Sequence, residues 1–236
     1  MPDIQQIVRE LSINAIPLIL AITFHEAAHG WVAYKKGDPT AKMLGRVTLN
    51  PVPHIDPFGT ILLPAMLILM GSGVLFGWAK PVPVNFRLLR DQKRDPVYVA
   101  AAGVVTNLGL AAISGLIFRI LIVIDPALLM GAMSGTAVPL MDTPSRMITL
   151  PLVLMCVESI RWNVILAIFN LIPIPPLDGG RIAVGLLPPR PSMALASVER
   201  YGILLLILLL MFDPFGIIRG IVQPLMHFLI KICIGG

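Results

Sequence analysis

The sequence predicts an all-α membrane protein: a polytopic bundle of five or six transmembrane helices with a small membrane-associated β element. Three observations carry this. Of 236 residues, 56% are hydrophobic and only 13% are charged, against roughly 25% charged in soluble domains; mean hydropathy is +0.86. Five segments, roughly 8–34, 97–124, 148–172, 196–212 and 215–234, are long and apolar enough to address a hydrocarbon layer of about 30 Å. Between them lie proline-rich stretches that cannot be helical.

The first apolar run opens with Asp3, Arg9 and Glu10, and no small-residue cleavage site follows. It is therefore expected to stay in the protein rather than act as a cleaved leader. Two short stretches read as extended: "KMLGRVTLNP" (42–51) and "AKPVPVN" (79–85). Pro81 and Pro83 strip one strand edge of N–H donors, so only Val82 and Val84 can donate in pairing. Segment 60–78 is long enough to span but is interrupted by Gly71, Ser72 and Gly73, a triplet that could hinge a gate or mark close helix packing. Charge argues that it re-enters, with a sixth span as the alternative. Lys35, Lys36, Lys42 and Arg46 precede it, Lys80, Arg87, Arg90, Lys93 and Arg94 follow it, and both clusters belong on the cytoplasmic side.

Segment 97–124 leads to a loop, 125–147, whose charges are Asp125, Asp142 and Arg146, as suits an outer face. Segment 148–172 holds Glu158 and Arg161, three apart on one helical face. Then "NLIPIPPLDGGR" (170–181) breaks the backbone at membrane depth with Pro173, Pro175 and Pro176. Such a break is tolerated only inside protein or beside a wet cavity. The last two runs, joined by "DPFG", read as a helical hairpin. The expected orientation is N-terminus out and C-terminus cytoplasmic.

The net charge of +5 is spread between apolar runs, without the dense patch that nucleic acid would require. Cys156 and Cys233, both in apolar runs, offer neither a disulfide framework nor a C-x-x-C metal site. The chemistry lies instead in "HEAAH", 25–29. On a helix, His25 and His29 stack on one face about 6 Å apart along the axis and can grip one ion. Glu26 adjoins that face, where it can take a proton from an attacking water. Three ionisable groups inside an apolar helix are costly, at about 2.5–3.5 kcal/mol for a charge at the centre, and a shared metal offsets that cost. A catalytic zinc needs a third protein ligand and an open position. Asp178, beside the broken backbone, is the first candidate; His54, Asp56 and the isolated His227 follow in that order.

"HEAAH", "AGVVTN" (102–107) and "NLIPIPPLDGGR", in this order and each in an apolar run, resemble the site-2 proteases, which are intramembrane zinc metalloproteases. The likeness covers most of residues 20–185. It implies one Zn2+ held by His25, His29 and Asp178, with Glu26 as general base. It implies that Asn170 holds the substrate or its oxyanion, and that Gly103 and Asn107 form the G-x-x-x-N element facing the site. Val104 stands where that element usually has proline, which weakens the implication for Asn107. The resemblance further implies a single domain over 1–236, with a catalytic core at about 8–187 and a C-terminal hairpin at about 196–234. A minimal member without PDZ or CBS domains is expected, in a prokaryotic plasma membrane, with its site towards the cytoplasm. The implied activity is regulated intramembrane proteolysis of membrane-anchored proteins; because an unwound substrate in lipid must find backbone partners in protein, a strand near 42–50 or 79–85 is expected to offer it an edge. A metal-ion transporter is the rival from another class, but it predicts internal repeats and dispersed acidic residues, and neither is present. An inactive relative that binds transmembrane partners would lack part of the set His25, Glu26, His29 and Asp178, which is complete.

Overall fold

A computed structural model describes residues 4–62, 66, 78–130, 143–213 and 216–235. Three long helices organise it: α1 (Ile4–Lys35), α3 (Asp95–Ile124) and α4 (Pro144–Asn170). Between α1 and α3 the described residues include α2 (Thr40–Met43), one turn long, and short 3-10 turns at Val52–His54 and Phe86–Leu88. After α4 come α5 (Asp178–Leu186), α6 (Pro189–Ser197), α7 (Gly202–Phe212) and α8 (Gln223–Ile234). Within the described residues, Ser12–Lys35, Asp95–Ile124 and Pro144–Asn170 are long and apolar enough to cross a membrane.

These three helices pack on one another, each antiparallel to the next. Lys36 Nζ lies 2.9 Å from Asp95 Oδ1 and ties the end of α1 to the start of α3. At the other end Arg146 grips Asp125 with Nε and Nη2, at 2.6 and 3.0 Å, joining α3 to α4. Asp91 closes the turn that leads into α3, its carboxylate accepting from the N–H groups of Lys93 and Arg94. Two apolar clusters stack along the bundle. Ala111, Ile160, Val164 and Ile168 meet Leu209 and Val222 in one, and Phe118, Leu150, Val153 and Val157 form the other, with Ile13 against it. Leu116, Ile120, Val123, Ile148 and Leu152 remain exposed on the outside, as lipid-facing positions should. At the Lys36 end, three ammonium groups sit over rings: Lys35 on Trp31, Lys36 on Tyr98 and Lys42 on Tyr34. Such amphipathic pairs mark a membrane–water boundary.

The Arg146 guanidinium holds the Asp125 carboxyl below the usual carboxylate range. A depressed folded pKa contributes stability above the ordinary carboxylate pKa, and that contribution disappears as pH falls through the folded value. Asp125→Asn should therefore lower the thermal midpoint at neutral pH and converge with wild type in acid, as thermal scans across pH would record.

Several expectations are corrected. No strand forms among the described residues. Residues 44–51 are turns and bends, and Gly45 has φ +66°. Residues 79–85 are extended, yet their partners are scattered. Lys80 N–H donates to His54 O, Val82 N–H to Glu26, and Asn85 N–H to Asp38. With Pro81 and Pro83 lacking donors, the bond to Glu26 takes Val82 N–H, one of the two donors that a β ladder would need.

Segment 60–78 lies mostly outside the described residues, as do Gly71, Ser72 and Gly73. Its two described flanks meet: Trp78 N–H donates to Gly59 O at 3.2 Å, and Thr60 Oγ to Trp78 O at 2.8 Å. Both basic clusters therefore lie at one end of the bundle.

The expected continuous span 196–212 is broken. Val198–Tyr201 is a 3-10 turn, and α7 has 11 residues, about 16 Å of helix. The break sits where Gly202 is pressed against the Pro175 carbonyl, an approach closed to any residue with a Cβ. Gly216 N–H does close the expected turn onto Asp213 O, but no simple hairpin follows. Arg119 of α3 donates to Ile232 O, and Gly115 abuts the Cys233 carbonyl. The C-terminal end of α8 thus lies beside the end of α3 remote from Lys36. The sequence reading put it on the Lys36 side.

Candidate metal centre

His25 and His29 project from one face of α1, about 15 and 9 Å of helix before Lys35. Asp178 reaches them because the chain turns back after α4. Leu171–Leu177 folds under the helix end, and Asp178 is the first residue of α5. Gly179 and Gly180 make this turn possible, since a Cβ on either would collide with the backbone of residues 171–175. The room between the imidazoles and α3 comes from Gly103. A Cβ there would stand 2.5 Å from His25 Cε1 and 2.6 Å from His29 Nε2.

The two imidazole Nε2 atoms are 3.0 Å apart and lie 3.2 and 3.3 Å from Asp178 Oδ2. Both Nδ1 atoms are engaged elsewhere: His25 Nδ1 is 2.5 Å from Asn107 Oδ1, and His29 Nδ1 is 2.7 Å from the Val99 carbonyl. These acceptors are met by Nδ1–H, and in the neutral imidazole each Nε2 then presents a lone pair. Asp178 Oδ2 is itself buried without a hydrogen-bond partner. Three lone pairs converging without a proton between them repel unless a cation sits among them. Their spacing matches the edge of a tetrahedron with ligand bonds of about 2.0–2.1 Å, which is roughly 3.3 Å. The donor set and the space fit zinc. Among the described residues, this is the one group of three acidic, histidine or cysteine side chains placed to share an ion.

A cavity of about 150 Å³ opens over the centre, and Glu26, Val82, Phe86, Asn170 and Arg181 help to line it. That volume admits a few waters. Glu26 Oε2 accepts from Val82 N–H at 2.7 Å, so the strap 79–85 orients the carboxylate. Arg46, buried, fastens the strap by donating to the carbonyls of Lys80 and Pro81.

The sequence matches the profile of Peptidase family M50 over residues 13–212. The chain belongs to that family. A relative in Bacillus subtilis (strain 168), named "Putative zinc metalloprotease YwhC", is 40% identical over 201 residues, covering 85% of this chain and 80% of that protein. Two mycobacterial proteins, each named "Putative zinc metalloprotease Rip2", are more distant. The one in Mycolicibacterium smegmatis is 27% identical, and the one in Mycobacterium tuberculosis is 26% identical. Each alignment covers 81% of this chain but 64% and 63% of those longer proteins. No solved structure matches. Membership of M50 makes the protein a site-2-protease-like zinc metalloendopeptidase of a bacterial membrane.

Within this M50 chain, the residues singled out from sequence separate into three sets. His25, His29, Asp178, Glu26 and Asn170 surround the cavity. Asn170 spends one amide N–H on Leu166 O, which leaves its second for a ligand. Gly103 and Asn107 stand behind the imidazoles. Asn107 is 0% exposed and touches His25 rather than the cavity, so a direct contact with substrate is not what its position offers. The remaining three lie elsewhere. His54 is buried with Nε2 on the Thr48 carbonyl, Asp56 caps the turn at Phe58 and Gly59, and exposed His227 bonds Gln223 O in its own helix.

Sequence reasoning missed Asn163, whose amide oxygen accepts from Asn107 at 2.8 Å. An asparagine at 1% exposure inside an apolar helix was the available signal, because a buried amide there must have partners. Arg46 was legible only as part of a basic cluster.

Proposed function

We propose that His25, His29 and Asp178 hold the zinc of this M50 protease, and that Glu26 is its general base. The convergence of His25 Nε2, His29 Nε2 and Asp178 Oδ2 carries this reading. When bound, zinc supplies a Lewis acid that polarises the scissile carbonyl and brings the pKa of its water to about 7. Glu26 accepts the proton of the attacking water as its oxygen bonds to the carbonyl carbon. It delivers that proton to the nitrogen as the C–N bond breaks, and the second hydrogen of the water follows to the amine, leaving a carboxylate and an ammonium group. Asn170 donates its remaining N–H to the developing oxyanion. Val82 N–H keeps Glu26 in register throughout.

The substrates are transmembrane segments of membrane-anchored proteins, cut within or near the bilayer in regulated proteolysis. The centre faces the cytoplasm, on the side of Lys35, Lys36 and Lys80, and the start of α1 lies outside. Residues 8–187 form the catalytic core. The Gly202–Pro175 and Arg119–Ile232 contacts favour one passage from inner to outer side, made by α7 and α8 together, in place of a returning hairpin. Among the described residues that makes four passages with α1, α3 and α4, and it favours an outer C-terminal end of α8.

A model transmembrane peptide co-reconstituted with the protein in lipid vesicles tests this function. Mass spectrometry should locate a cut in or beside the apolar segment, abolished by chelation and restored by Zn2+. Cleavage that persists after full zinc removal would refute it.

A further inference from the structure

We infer that Asn163 of α4 is a positioning residue for the metal centre, selecting through Asn107 the His25 tautomer whose Nε2 can ligate. The inference rests on the proposed role of His25 as a ligand. An asparagine amide has two unlike faces, an acceptor oxygen and a donor NH2. Only the oxygen can receive His25 Nδ1–H. If the amide turned over, its NH2 would face His25 and favour the tautomer that carries its proton on Nε2. That nitrogen could not then bind a metal. His29 runs no such risk, because its Nδ1 meets the Val99 backbone carbonyl, which is only an acceptor.

The structure fixes the choice by a one-way series of donors. Asn163 Nδ2 donates to Ser159 O at 2.9 Å and to Ser159 Oγ at 3.2 Å. This turns Asn163 Oδ1 towards α3, where it accepts from Asn107 Nδ2 at 2.8 Å. With its NH2 so engaged, Asn107 presents Oδ1 to His25 at 2.5 Å. A second bond from Asn107 Nδ2, to Ala21 O at 3.2 Å, acts in the same sense but is longer and shares a carbonyl that the helix α1 already uses. Asn107 and Asn163 are 0% and 1% exposed, so no bulk water can replace a lost partner. Beyond them, Ser159 Oγ lies 2.8 Å from Ser114 Oγ, which closes the series between α3 and α4. Polar side chains between membrane helices also serve as packing glue. Glue requires only that the groups be paired, whereas here every amide points the same way, from His25 towards a backbone carbonyl.

Replacement by aspartate distinguishes the two roles. A neutral Asp at this depth has one O–H for Ser159 and one carbonyl oxygen for Asn107, so it repeats the pattern of asparagine. An ionised Asp would still accept from Asn107. Alanine and valine provide no acceptor.

The test measures zinc affinity of the purified full chain in detergent, by competition with a chromophoric chelator. The absorption spectrum of the Co2+-loaded protein reports ligand geometry in parallel. Asn163→Ala should bind zinc about 10–100-fold more weakly and change the Co2+ spectrum. Asn163→Asp should stay close to wild type in both. Asn163→Val guards against a failure of alanine to fold and should behave as alanine does. No loss of affinity in folded Ala or Val variants overturns the inference, and so does an equal loss in Asp and Ala. Absence of zinc from wild type would instead sink the ligand assignment itself, so the two failures are distinguishable.

Discussion

Glu26→Gln is expected to keep one zinc per chain and to lower peptide cleavage by about 10²–10⁴-fold, the range for loss of a general acid–base group. The variant preserves more than size. The glutamine side-chain oxygen can still accept from Val82 N–H, which now bonds Oε2 at 2.7 Å, so the strap 79–85 should stay in place. What glutamine cannot do is receive the proton of the attacking water. Glu26 is not among the three converging ligand atoms, so metal content should not change. Single-turnover cleavage with zinc analysis on the same sample makes the comparison. Wild-type turnover by the variant would remove Glu26 from the mechanism.

Gly103→Ala should empty the centre. Real Cβ atoms essentially never approach other heavy atoms within 3.0 Å, and this one would meet His25 Cε1 at 2.5 Å and His29 Nε2 at 2.6 Å. Neither ring can easily retreat. Each is held by its Nδ1, one to Asn107 and the other to the Val99 carbonyl, and both stand on α1, which packs directly on α3. Relief requires the helices to part or the imidazoles to leave the site, and either moves Nε2 away from Asp178. Zinc stoichiometry and cleavage should fall together towards zero while helical circular dichroism persists. A folded variant with full zinc and full activity would show that the packing at Gly103 is looser than described.

Much of this was legible in the sequence, for physical reasons. The helices α1, α3 and α4 are written in apolar runs that only a bilayer explains. His25 and His29 declare a shared face by their spacing, and Asp178 is marked by the prolines that break the backbone before it. What escaped depends on contacts between distant residues. Nothing local in 196–212 predicts the break before Gly202, which comes from its approach to Pro175. The stretch 79–85 has the composition of a strand edge, but Glu26 takes the Val82 donor. Asn107 looked like a residue facing substrate, since sequence places it near the site without saying which side of His25 it occupies. Asn163 lies about two helical turns before Asn170, outside the motif that Asn170 opens, and its partner on α3 is 56 positions away.

X-ray absorption at the zinc edge of the purified protein tests the central assignment most directly. Ligation by His25, His29 and Asp178 predicts a shell of nitrogen and oxygen at about 2.0–2.2 Å with the outer-shell signature of two imidazoles. In Asp178→Ala, the shell should lose an oxygen while the imidazole signal persists in whatever zinc remains. A sulfur shell at about 2.3 Å, or a wild-type spectrum without imidazole scattering, would contradict the assignment.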